Sequence, residues 1–127
     1  MSAVVAILLE RAMKLIETED KWTQGSFARD KDDESVDVEF DHIDMSAIAC
    51  CCALGAVRVA ARKFAKHHRD ALIDLADAAL EKAASVMGTK RGECEDESLA
   101  VILNDNNGHA TVLSMYRAAI AAERGAQ

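Results

Sequence analysis

Chemistry in this 127-residue chain would have to come from four cysteines, four histidines and a dense run of carboxylates. Cys50, Cys51 and Cys52 are consecutive, with Cys94 far downstream. On a helix, consecutive side chains point about 100° apart and cannot converge on one metal. Zinc sites use spacings such as Cys-x2-Cys, which the chain lacks. The triplet therefore reads as small packing residues, and all four cysteines as free thiols. Cys52, His109 and Asp105 are the residue types of a nucleophile, a base and an orienting group, but spacing alone does not bring them together. His67-His68 reads as a solvated corner. The expectation is no metal and no cofactor.

The carboxylates are concentrated. Glu17 to Asp44 holds eleven acidic and three basic residues, a net charge of −8 within a total of −7. Its core imitates a calcium loop, with Asp30, Asp32 and Glu34 at alternate positions and Asp41 at the twelfth. However, Ser35 stands where the sharp turn needs Gly, and Asp is too short for the usual bidentate twelfth ligand. Two readings stay open. The stretch is a solvated loop, or Asp32, Asp33, Glu34 and Asp37 form a surface for a basic partner. The basic cluster Arg58, Arg62, Lys63, Lys66 and Arg69 lacks aromatic neighbours for base stacking, and the net charge disfavours nucleic acid.

The elements that must position these groups read as helices. The chain has no proline and 24 alanines, which favours closely packed helices over a sheet core. Ser2 is a candidate N-cap, and Val5, Leu8, Leu9, Ala12, Leu15 and Ile16 make an apolar stripe at helical spacing. Glu10 and Lys14 are placed for an i,i+4 pair. Val36, Val38 and Phe40 alternate with acids, which suggests a hairpin over about residues 27–40, turning near Asp32 and Asp33. Met45 to Lys66 reads as a central helix, with Ala49, Cys52, Gly55 and Ala56 allowing another helix close approach. Asp70 to Met87 is a second helix, ended by Gly88. Leu99 to Leu103 is helix or buried strand, Asn104 to Gly108 a turn, and about Ala110 to Glu123 a last helix.

The motifs Trp22-Thr23-Gln24-Gly25, Ala28-Arg29-Asp30, Cys52-Ala53-Leu54-Gly55-Ala56 and Asn104-Asp105 occur in this order before the last helix. The chain thereby resembles an uncharacterised family of small bacterial and phage proteins, a domain of unknown function. It departs from that pattern at Leu103, where an aromatic is expected, and in a shorter turn after Asp105. The resemblance implies an intracellular helical domain in a phage or prophage setting, and no activity. The polar and aromatic members of its motifs, Trp22, Gln24, Arg29, Asn104 and Asp105, either line a ligand pocket or serve structure. In the structural reading Arg29 pairs with Asp105 and Trp22 plugs the bundle end.

The expectation is one mainly all-α domain over residues 1–127, a compact bundle of four to five helices with a small β-hairpin. The start is apolar but has no basic leader, and no apolar run reaches membrane-spanning length, so the expected setting is cytoplasmic with no membrane contact. The expected role is a non-enzymatic protein-binding or regulatory module, a phage or prophage factor that modulates a host machine. Its partner would be another protein with a basic surface, and a homo-oligomer is left open. The alternative is a small-molecule binder or enzyme using the Trp22, Arg29, Asn104 and Asp105 motifs.

Overall fold

The computed structural model describes residues 2–38, 44–92 and 97–125. Five helices dominate them, with a two-stranded sheet beside. Helix α1 (Ser2–Leu15) buries Val5, Leu8, Leu9 and Ala12, with Ile16 just beyond. Leu15, expected on this stripe, is 40% exposed. The anticipated Glu10–Lys14 pair is not formed, because the Arg124 guanidinium reaches Glu10 from the far end of the chain.

A stretch from Met45 to Lys66 was expected to be one helix, and it is not. It holds a 3-10 turn (Met45–Ala47), strand β2 (Ile48–Cys51), helix α2 (Ala53–Ala61) and the first residue of α3 (Lys66–Val86). Strand β2 pairs antiparallel with β1 (Ala28–Asp30), Ala28 opposite Cys51 and Arg29 opposite Cys50. The backbone of Ile48 to Cys51 thus has partners outside its own segment, and β-branched Ile and flanking apolar residues suit a half-buried strand. Helix periodicity in a short apolar run cannot register such a partner. The cysteine triplet consequently straddles a strand end and a helix start: Cys52 is the N-cap of α2, its sulfur accepting from Gly55 N–H at 3.3 Å.

Beyond β1 the chain does turn at Asp32 and Asp33, as expected for a hairpin, with an isolated bridge between Arg29 and Ser35. The strand pairing with β1 comes from β2, however, and Phe40 lies outside the described residues. Asp33 takes φ +64°, a left-handed conformation that Asp tolerates better than most residues.

Helix α3 begins at Lys66, so the expected corner at His67 to Asp70 is helical. It ends at Gly88, φ +92°, in a Schellman arrangement: Thr89 N–H donates to Ala84 O and Gly88 N–H to Ser85 O. Leu99 to Asn106 is helix α4, which resolves the helix-or-strand alternative and places Asn104 and Asp105 on a helix rather than in a turn. The physical reason is a shared cap. Glu81 of α3 accepts from Ser98 Oγ and from the Leu99 and Ala100 N–H groups, which satisfies the first turn of α4. Helix α5 (His109–Gly125) buries Val112, Met115, Tyr116 and Ala119 as its periodicity predicts. The core draws on all five helices, with Ala28 and Val38 joining it from outside them.

Candidate functional site

The segment from Trp22 to Arg29 wraps over the junction of α2 and α4, and a buried asparagine fastens it. Asn104 is 1% exposed, the only buried polar residue among those described. Its Oδ1 accepts from Trp22 Nε1 at 2.8 Å and from Ala53 N–H at 3.0 Å. Its Nδ2 donates to Thr23 O at 3.1 Å and to Asp105 Oδ1 at 3.0 Å. An amide side chain has four such bonds to make, and all four are made. The Ala53 N–H is an orphan donor of the first turn of α2, so α4 caps α2 through this side chain. Buried Tyr116 donates its hydroxyl to Ala53 O from the other side. Burial pushes that phenol well above its ordinary value.

Four of the five residues singled out from the motifs meet in this clasp. Gln24 Nε2 donates to the carbonyls of Asn104 and Asn107, both at 3.0 Å. Asp105 accepts from Gly25 N–H at 3.0 Å, where Gly25 takes φ +79°. Trp22 packs its ring against His109 at 5.6 Å between centroids. The fifth, Arg29, does not pair with Asp105 as expected. It lies across the segment itself, donating to Thr23 Oγ1 and to the carbonyls of Gln24 and Asp33, with the Asp33 carboxylate at 3.9 Å. Backbone carbonyls within a few residues capture the guanidinium first, while Asp105 is occupied by Gly25 and Asn104.

Gly55 fits this arrangement closely. A Cβ there would lie 1.8 Å from the Phe27 carbonyl oxygen, which also accepts from Cys52 N–H. At Gly55 the close approach is therefore made by the backbone of Phe27 rather than by a neighbouring helix. Beside it opens a pocket of about 260 Å³ between Phe27, Leu54 and Val101, with Cys52, Asn104 and Asp105 on its wall.

A thiol nucleophile is disfavoured there. Burial raises the Cys52 thiol, and burial also pushes Cys51 up to about 12. The imidazole of His109 is turned away, its Nε2 bonded to Ile16 O at 2.6 Å. No cluster of three metal-ligating side chains occurs among the described residues. Of the calcium-like positions, Asp30 uses Oδ1 to hold the N–H groups of Asp32 and Glu34, and Asp41 lies outside the described residues. Asp32, Asp33 and Glu34 are exposed on the turn so formed, and Asp37 is exposed just beyond its closing bridge.

A larger cleft of about 610 Å³ gathers Arg58, Arg62, Lys66 and Arg69 with Asp70 and Asp74. The basic cluster thus runs from α2 across the junction into α3. Arg58 pairs with Asp77 at 3.0 Å, and Arg62 donates to Val38 O. Sequence reasoning missed Thr23, Ala53, Tyr116 and Glu81, three of which act through backbone or hydroxyl groups that no side-chain pattern advertises. Glu81 had a signal in hindsight: an acidic residue in a helix that precedes a Ser-capped apolar run.

These features define a helical domain whose polar centre is a structural clasp with a small pocket at its edge. The chain belongs to a family of unknown function, DUF6197, whose pattern matches residues 1–122. No curated protein and no solved structure matches it. No helix among the described residues is long and apolar enough to cross a membrane.

Proposed function

We propose that the chain is a non-catalytic protein-binding module whose recognition face is the acidic turn following β1. The observation that carries this reading is that the turn is exposed and yet held. Asp30 fixes its backbone, Arg29 braces it from below, and Val36 N–H donates to Ala28 O at its close. Carboxylates fixed in this way lose less freedom on binding than those of a loose loop, which favours association. In the clasp, by contrast, the polar groups bond one another, which leaves little for catalysis. In the phage or prophage setting implied by the sequence resemblance, such a face would occupy a basic surface of a host machine and modulate it.

The test is affinity capture with the wild type and the variant Asp32→Asn, Asp33→Asn, Glu34→Gln, Asp37→Asn, at low and moderate salt. The expected result is a basic partner recovered by the wild type at low salt, reduced by salt and by the variant. Equal recovery by both proteins, or recovery by neither, overturns the reading.

The pocket beside Asp105 carries a second reading, a small-ligand site with an apolar floor and one carboxylate at its mouth. In that case Leu54→Trp, which fills the pocket, abolishes ligand-induced thermal stabilisation, while neutralising the turn leaves it unchanged.

A further inference from the structure

Leu15 ends the apolar stripe of α1 and remains 40% exposed. It lies between two hollows of about 400 and 380 Å³ that share Lys14, Leu15 and Val59 and so form one groove along α1, β2 and α2. The floor is apolar: Leu15, Met45, Ile48, Ala49, Val59 and Ala60. The rim is cationic, with Arg11, Lys14, Lys21 and Lys63 against the single carboxylate of Glu17. None of these four cations forms an ion pair among the described residues. Glu10, four residues before Lys14 on α1, is taken by Arg124. The Arg11 guanidinium is steadied 5.5 Å over the Phe64 ring, close to the groove. A cationic rim around an apolar floor on a chain of net charge −7 is a local reversal of the molecule's field.

We propose that this groove docks an acidic amphipathic helix of a partner protein, its apolar face on Leu15, Ile48 and Val59 and its flanking carboxylates against the rim. The charge pattern selects that occupant. A nucleic-acid strand would match the cations but would leave its phosphates over aliphatic side chains, with no aromatic face among the lining residues for its bases. A membrane surface would match the signs of charge, but it inserts protruding apolar groups, and this floor is recessed. A helix with apolar residues at i, i+3 or i+4 and i+7, edged by Asp and Glu, satisfies both floor and rim. This site is separate from the acidic turn and does not depend on it.

The probe is a fluorescein-labelled peptide of about 18 residues with Leu on one face and Glu on the other. Its anisotropy is followed with the full chain. Saturable binding that weakens with salt is expected. A peptide with Lys replacing Glu should bind at least about tenfold more weakly, as should one with Ser replacing Leu. Lys14→Glu with Lys63→Glu should lose about tenfold, and Leu15→Asp a similar factor, with melting temperatures close to wild type because all three side chains are exposed. The variant with the neutralised acidic turn should bind as the wild type does. Equal binding of the Lys peptide, unchanged binding by the groove variants, or no saturation overturns the proposal. So does a result in which RNA or anionic phosphatidylglycerol vesicles bind and the acidic peptide does not.

Discussion

Asn104 can be substituted in two ways that separate its roles. Asn104→Ala strands the Trp22 indole N–H, the Ala53 N–H and the Thr23 carbonyl at once. The Ala53 N–H is buried and the other two groups half-buried, and a buried donor or acceptor left without a partner costs about 1–3 kcal/mol, so a loss of about 2–3 kcal/mol is expected in urea melts. Asn104→Asp keeps the acceptor but replaces the donor by a carboxylate facing Asp105, 3.0 Å away. Burial and the like charge both favour its protonated form. Its destabilisation should therefore be smallest in acid and grow as pH rises above the ordinary carboxylate range, which a melting series across pH would show. The motif residues drew attention in the sequence as polar and aromatic types, but which of them meet was not legible there. Their purpose was not, because a sequence pattern cannot distinguish an amide that waits for a ligand from one whose bonds are already spent on backbone groups.

Among the elements, capping and close approach decide what the apolar pattern leaves open. Partial burial raises the Glu81 carboxyl, but the Leu99 N–H, the Ser98 hydroxyl, the Ala100 N–H and the Arg91 guanidinium outweigh it and hold it below its usual range. A carboxyl lower in the folded than in the unfolded chain contributes stability that is full above the unfolded value and is lost as pH falls through the folded one. Glu81→Ala should cost about 1 kcal/mol at neutral pH, and the gap to wild type should close as pH falls below the ordinary carboxylate range. Gly55→Ala should cost on the order of 1–3 kcal/mol, since the Phe27 backbone must move to admit a methyl group. Unchanged melting would show that the segment yields. Helices α1, α3 and α5 were legible because each has a sustained apolar stripe. Strand β2 was not, since its pairing with β1 spans about twenty residues and Ile48 to Cys51 is too short for periodicity to choose a period. The exposure of Leu15 was equally hidden: the stripe predicts a face, but not where the neighbouring element stops.

Over the whole molecule, charge is divided between an acidic turn and basic surfaces on α1, α2 and α3. Exposed carboxylates contribute little to folding, so neutralising Asp32, Asp33, Glu34 and Asp37 should leave the melting temperature within a few degrees of wild type, or raise it as repulsion falls. The thiols follow burial. In the native state Cys50, the half-buried one of the triplet, should alkylate ahead of Cys51 and Cys52, while denaturant without reductant should expose four reactive thiols. Two or fewer under denaturing conditions would show that disulfides form.

The Trp22–Asn104 bond joins residues 82 positions apart. Closing a loop of that length costs entropy before any contact rewards it, so the clasp should form late in folding. Trp22 is the chain's single tryptophan, and its indole is both hydrogen-bonded and packed at a tilt against His109 in the closed clasp. Its emission is therefore a built-in clock. In stopped-flow refolding it should change after the far-ultraviolet dichroism has recovered, whereas simultaneous recovery would mean that the clasp belongs to the nucleus.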